Sequence, residues 1–307
     1  MSITSKVTFY LHPKLRKQAT EGNHNFIALI GKVLTDAGLT VAFDSDDTLA
    51  RLRALARPGR GIFLMDPPVN DRSLTLRQTY ITPFWHIEKQ AERWYWPVAQ
   101  APFDPAVVDP QKATNFQRFW QNRLLGDTIH VPRKDGFVFV PLQGRLMEQR
   151  SFQYCSPIDM IHAVPRHDPV RPVIATLHPS ETYQPDEERA LEQLLAENDR
   201  LYIRKGDPAR YLRTCDYIVS QNSGVALQGF FLNKPAILFG RSDFTISRLM
   251  WPISGQRPPL ALWPDTRPIL RPICTGSCKY RRSTQAGQRR KTGLHRSCAA
   301  MAGLSRG

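Results

Sequence analysis

The stretch that most constrains the fold is residues 214–244, TCDYIVSQNSGVALQGFFLNKPAILFGRSDF. Tyr217-Ile218-Val219 and Ala236-Ile237-Leu238-Phe239 are short apolar runs, each the length of a strand buried on both faces. Gly224 to Phe231 carries helical spacing between them. Strand, turn, helix and strand in so short a span form one βα unit running into the next parallel strand, which places the chain in the α/β class.

The turn carries the chemistry. Asn222-Ser223-Gly224 lies where the strand ends and the helix begins, so backbone N–H groups, a hydroxyl and the positive end of the helix dipole converge on one point. Gly224 lets a phosphate approach the backbone, and Ser223 can donate to it; Ser223 reads equally as a plain helix cap. Upstream, Val173-Ile174-Ala175-Thr176-Leu177 is a second apolar strand, and it stops at His178-Pro179. Proline ends the strand and holds the histidine at the carboxyl edge, where open α/β sheets bind ligands.

A length of 307 residues suits two α/β domains of about 130–150 residues each. The amino-terminal half begins with a strand at residues 6–11, then a polar loop from His12-Pro13 to Asn25, an amphipathic helix from Phe26 that stops at Gly38, and a strand at Thr40–Phe43. No GxGxxG accompanies this βαβ unit, so a dinucleotide is not indicated. Asp44 and Asp46 follow the strand, where a carboxylate could take a proton from a hydroxyl or attack an electrophilic carbon; Asp46-Asp47 is also a good helix start.

Gly61–Met65 is a third strand, and an aromatic-rich region follows it from Tyr80 to Trp120. Those rings read mostly as core, with some available to stack on a sugar, and His86 and Glu88 lie among them. The polar break Pro132-Arg133-Lys134-Asp135-Gly136 marks a domain boundary before the apolar strand Phe137–Leu142. The expected organisation is an amino-terminal domain over 1–132, a second domain over 133–264 and a basic tail over 265–307. Gln143, Arg145 and Arg150 fall at the carboxyl end of the Phe137–Leu142 strand, and the arginines read equally as available to an anion or as solvated surface charges.

Nine of the 15 net positive charges lie between Arg271 and Gly307, a stretch without a single Asp or Glu. Nucleic-acid binding through that tail is one reading, but the bases lack aromatic interleaving and lie outside the folded pattern. Cys274, Cys278, His295 and Cys298 could be drawn into a zinc site, though no apolar periodicity supports a module around them. An acid-free tract of Arg, Ser, Gly and Cys also reads as an out-of-frame extension that stays disordered. No run of about 18–20 apolar residues is present and the start lacks a signal peptide, so a cytoplasmic protein is expected.

The order strand-His-Pro, helix, strand, then DYIVSQNSGV and NKPAILFGRSDF, resembles the carboxyl-terminal domain of capsular polysaccharide glycosyltransferases, the group that contains the Kdo transferases. Phe137-Val138-Phe139-Val140-Pro141-Leu142-Gln143, Ser156-Pro157-Ile158-Asp159-Met160 and the aromatic helix entry Tyr80–Glu88 are similar to further family patterns, so the resemblance spans roughly residues 1–250. It implies two Rossmann-like domains of the GT-B type facing a cleft. It implies a donor site made by His178, Pro179, Asn222, Ser223 and Gly224; Gln143 and Arg145 are placed beside it by their position after the Phe137–Leu142 strand. Gln228 stands where many relatives carry glutamate, which keeps a hydrogen bond and loses a charge.

The implied activity is transfer of a sugar from a nucleotide donor, CMP-Kdo by resemblance, to a glycan or glycolipid acceptor of a surface polysaccharide. No cofactor or metal is called for, no nucleic-acid partner is expected, and peripheral association with the inner membrane fits a lipid-linked acceptor. An inactive or truncated relative is the alternative reading.

Overall fold

The computed structural model describes residues 5–102, 104–126 and 133–244. The tail with its four candidate zinc ligands lies outside the described residues. Among these, one compact unit runs to Trp96 and a second starts at Pro97.

The first unit contains β1 (Lys6–Leu11), α1 (Pro13–Thr20), α2 (Asn25–Asp36), β2 (Thr40–Ser45), α3 (Thr48–Ala56), β3 (Arg60–Leu64), β4 (Ser73–Gln78) and β5 (Trp85–Glu88). Its sheet has the order β2-β1-β3-β4-β5, with the first four strands parallel and β5 antiparallel to β4. Phe9, Ile62 and Leu76 form its core with Ile27, Ile30 and Leu34 of α2.

Three local expectations are corrected here. The span read as a loop after His12 contains α1, because Pro13 sits at its first position and the His12 imidazole Nδ1 accepts from the Leu15 N–H at 3.3 Å. β4 has no counterpart among the strands expected from the sequence; its Leu-Thr-Leu run is paired on both edges, with β3 and β5. The aromatic helix entry at Tyr80–Glu88 is instead a bend leading into β5, where Trp85 stacks on Phe26 of α2 with ring centroids 5.3 Å apart. Tertiary packing of the large rings overrides their helical spacing.

The second unit contains α4 (Pro97–Gln100), α5 (Pro110–Leu125), β6 (Val138–Pro141), α6 (Pro157–His167), β7 (Val173–Leu177), α7 (Pro185–Glu197), β8 (Leu201–Lys205), α8 (Pro208–Thr214), β9 (Tyr217–Ser220), α9 (Gly224–Phe231) and β10 (Ala236–Leu238). All five strands are parallel, in the order β10-β9-β6-β7-β8. α5 precedes the polar break at 132–136, yet it packs on α9. Gln117 and Gln121 both donate to the Phe231 carbonyl, at 3.0 and 2.5 Å, and Phe116 and Trp120 pack against the Phe231 ring.

The amino ends of β6, β7 and β9 are held by one polar network. Asp168 is 3% exposed and accepts from the Tyr217 hydroxyl and from Arg171, each at 2.9 Å. Arg171 also donates to Asp216 at 2.7 Å, and Asp216 accepts from the Gly136 N–H. Nearby, buried Lys234 donates to the carbonyls of Cys215 and Arg133 at 2.6 and 2.7 Å. A charge this deep is tolerable only because hydrogen bonds replace its water.

Burial alone would raise the Asp168 pKa, but bonds from the Arg171 backbone, the Tyr217 hydroxyl and the Arg171 guanidinium outweigh it and hold the carboxyl below its usual value. A carboxylate depressed on folding stabilises above the unfolded pKa of about 3.9, and that contribution is lost as pH falls through the folded value. Asp168→Ala is therefore expected to cost about 3–5 kcal/mol in urea unfolding at pH 7. The difference from the parent should narrow below about pH 4; a gap that stays constant down to pH 3 would count against this account.

Candidate anion site at the second sheet

The second sheet reverses direction at its centre. From β6 the chain steps to β7 and β8 on one side, then returns to place β9 and β10 on the other. In open parallel sheets this reversal leaves a crevice outside the carboxyl ends of the two strands where the order turns, here β6 and β9. The turn after β9 is Gln221-Asn222-Ser223, and the loop after β6 starts at Leu142-Gln143. β7, which ends in His178-Pro179, is the next strand over, so three adjacent strand ends carry the candidate residues across about 10 Å.

Ser223 is the α9 cap: its side chain accepts from the Val225 N–H at 3.2 Å, and its own N–H donates to Ser220 Oγ. Its hydroxyl proton makes no hydrogen bond among the described residues. Asn222 and Gln228 are half-buried and make no side-chain hydrogen bond among the described residues; Gln228 lies one turn along α9 on the Gly224 face. Gly224 is the first residue of α9, as the turn chemistry requires.

The loop after β6 is held from three sides. Glu187, the third residue of α7, closes a capping box with Gln184 and also accepts the Leu146 N–H. Gln153 bridges to Gly240 beyond β10, and Gln221 donates to the Cys155 carbonyl at 3.1 Å. In this frame Arg145 is exposed in a left-handed conformation (φ 61°) and faces Glu148. Arg150 is the more enclosed of the two. It is half-buried, stacks on Phe152 at 4.8 Å, and donates to Gln143 Oε1 at 3.3 Å. Burial, and then the Arg145 charge, pull its pKa down, and both penalties are relieved by an anion.

His178 is exposed. Its Nδ1 accepts from the Ser180 N–H at 3.2 Å, so in the neutral ring the proton sits on Nε2, ready to donate. The backbone N–H of His178 donates to the Tyr183 hydroxyl at 2.8 Å. A cavity of about 420 Å³ opens beside it, lined by Leu177, Pro179, Glu181, Tyr183 and Lys205 among others. Glu181 presses on the β6 loop: a Cβ on Gly144 would lie 2.3 Å from its carboxylate oxygen. The cavity thus takes in His178 and Pro179, while the Ser223 turn lies two strands away, on the far side of β6.

Asp44 and Asp46 belong to the first unit. β2 is the edge strand there, and the order reverses between β1 and β3, one strand away. Asp44 is bound to Arg57 at 2.9 Å, while Asp46 makes no hydrogen bond among the described residues and Asp47 caps α3. The residues that do follow the reversing strands are His12-Pro13 after β1 and Met65-Asp66 after β3, with Asp66 paired to Arg51 at 3.1 Å. The repeated strand-His-Pro pattern at 12–13 and 178–179 was the available signal for the first of these. His86 is 3% exposed, against Glu88 at 3.2 Å and the Trp96 ring, which is a core position.

Burial raises the Cys215 thiol to about 12 and Cys155 to about 11, so neither is a nucleophile at neutral pH. Among the described residues no three His, Cys, Asp or Glu side chains gather as a metal site requires, and no helix is long and apolar enough to cross a membrane.

No family model matches the chain and no curated protein matches its sequence. Among solved structures it is similar to KpsC of Thermosulfurimonas dismutans, a beta Kdo 2,7 transferase, with 12% identity, a TM-score of 0.53, and coverage of 89% of this chain and 90% of that one. The beta Kdo 2,4 transferase of the same protein gives 11% identity and a TM-score of 0.49 over the same shares. A UDP-N-acetylglucosamine 2-epimerase from Listeria monocytogenes gives 12% identity and a TM-score of 0.30 over 76% of this chain and 79% of that one. The first likeness shows the fold: the chain has two Rossmann-like units of the GT-B type.

As a lost cap, Ser223→Ala should reduce the unfolding free energy by about 1 kcal/mol, with Ser223→Thr recovering most of it. Urea denaturation checks this, and no change in the alanine variant would remove Ser223 from its capping role.

Proposed function

We propose that this protein is a glycosyltransferase whose second unit binds a nucleotide-activated sugar, with CMP-Kdo the donor favoured by sequence resemblance. Its acceptor is a glycan or glycolipid of a surface polysaccharide, taken by the first unit. One observation carries the reading: the Ser223 turn and the Gln143–Arg150 loop flank the point where the order of a fully parallel sheet reverses. KpsC, a Kdo transferase of like fold, supports the same class.

When the glycosidic bond to a CMP-activated sugar breaks, negative charge grows on the departing phosphate. The first N–H groups of α9 and the Ser223 hydroxyl are donors placed to stabilise that charge without reorganising, while His178 Nε2–H, two strands away, is available to the nucleotide. Arg150 adds a cation that is already desolvated. Asn222 and Gly224 shape the turn, Gln143 orients Arg150, Pro179 stiffens the His178 edge, and Arg145 supplies a more distant charge. Gln228 offers a neutral amide to a donor-sugar hydroxyl. Asp46, with no hydrogen-bond partner among the described residues, is the candidate base for the acceptor hydroxyl, and Asp44 orients the strand end through Arg57.

Gln228 also favours a second reading, a relative that binds donor without turning it over. Calorimetric titration with CMP, UDP and GDP separates them. CMP is expected to bind in preference to the others, with at least about a tenfold loss in Ser223→Ala and His178→Ala, roughly 1.4 kcal/mol each. Equal affinity in both variants would overturn the donor site. Asp46→Asn should abolish sugar transfer with CMP affinity unchanged; CMP binding without transfer in the parent would identify the inactive relative.

A further inference from the structure

The two faces of the first sheet are built from different residues. The register of β3, β4 and β5 puts Ser73, Thr75 and Arg77 on the Phe63 side of the sheet, with Glu88 paired to Thr75 and His86 to Arg77. The other side carries Leu74, Leu76, Trp85 and Ile87, which pack in the apolar core with α2. A polar strip on a covered sheet face needs partners, because it has given up water. Two of its members have them: the Ser73 hydroxyl donates to Asn70 Oδ1 at 2.7 Å, and His86 Nδ1 lies 3.2 Å from Glu88. Arg77 is half-buried and has none among the described residues. Its Nε is buried without a hydrogen-bond partner, and no carboxylate forms an ion pair with it.

The charges around Arg77 do not make good the loss. Asp66 is engaged by Arg51 at 3.1 Å, Glu92 is exposed, and both act on Arg77 only through space. A second cation, Arg93, stands close enough to lower the Arg77 pKa, next after burial itself. Arg93 is held in place. It donates to the Gln78 carbonyl at 2.6 Å and lies over the Tyr80 and Trp96 rings at 4.7 and 5.1 Å. Trp96 is itself 1% exposed, and its indole N–H donates to the Gln90 carbonyl at 2.8 Å. Two guanidinium groups are thus kept near one another on the same side of the sheet, and the half-buried one has no counter-charge, an arrangement that costs stability until an anion joins it.

We propose that Arg77, with Arg93 beside it, is an anion-binding residue of the first unit and takes a carboxylate or phosphate carried by that unit's ligand. Its place in the fold agrees. Arg77 is the last residue but one of β4, a strand parallel to β3, so it stands at the carboxyl edge, where open α/β sheets take their ligands. A guanidinium offers a planar fork that matches both anions, and one already stripped of part of its water binds them at less cost than a solvated lysine. The assignment needs no donor in the second unit and so goes beyond the glycosyltransferase reading; within that reading the anionic group belongs to the acceptor.

Thermal melting of the full chain tests this, with inorganic phosphate and with glucuronate, each against sodium chloride at matched ionic strength. Phosphate also stabilises folded proteins without binding, so the quantity read is the difference between the parent and Arg77→Met. Without added anion, Arg77→Met is expected to melt at or above the parent, because an unpaired charge has been removed and its apolar stem kept. With anion at about ten times its dissociation constant, the parent should gain on the order of 3 °C more than Arg77→Met. Arg77→Lys keeps the charge without the fork and should keep less than half of that gain. A response to phosphate identifies a phosphate ligand, and a response to glucuronate alone a sugar carboxylate. CMP affinity should be the same in parent and Arg77→Met, so failure of the donor site is read separately. Equal gains in parent and Arg77→Met with both anions overturn the proposal. So does an Arg77→Met chain that melts well below the parent or fails to fold, because Arg77 is then a structural residue.

Discussion

The second unit depends on one constraint: β6 is hydrogen-bonded on both edges to parallel strands, β7 on one side and β9 on the other. Parallel neighbours cannot be joined by a tight turn, so each connection must cross back through a helix. All polar turns that follow the strands therefore emerge at the same edge. Because the chain fills one side of β6 before the other, the turn after β9 comes to lie beside the loop after β6, and the crevice follows from connectivity before any side chain is considered.

The two edges of that sheet are treated differently. At the amino ends, Asp168, Arg171, Asp216 and Tyr217 satisfy one another, and Lys234 ties two carbonyls. These bonds tie the buried groups to one another. At the carboxyl ends the bonding runs from the loops to their supports, through Glu187, Gln153 and Gln221, and leaves outward donors on Ser223, His178 and Arg150. One edge is thus closed by bonds among its own side chains, and the other anchors its loops while keeping donor groups at the strand ends.

The first unit repeats the plan in looser form. Its sheet also reverses, between β1 and β3, and a His-Pro pair again follows a strand. There the histidine imidazole caps α1, so the same dipeptide serves a structural end. Its helix α3 buries only alanines, which lets the helix sit close to the sheet and turns its larger apolar residues outward.

Much of the architecture was legible because it is encoded over short range. The apolar runs at 217–219 and 236–239, the Ser223 and Ser156 caps, and the strand-ending His178-Pro179 each reveal themselves within a few residues, through periodicity and capping chemistry. Less legible were α1, whose cap is a histidine in place of the usual Ser or Asp, and β5, which follows Tyr80 and Phe84, rings spaced as on a helix. By itself the sequence determined the α/β class, the βα unit and the residue types gathered at the strand ends. Only the tertiary structure decided that β6 is central, that Arg150 is desolvated while Arg145 is not, and that Asp44 is engaged by an arginine 13 residues away. Those outcomes depend on strand pairing and burial between distant segments, and no local pattern of residues specifies either.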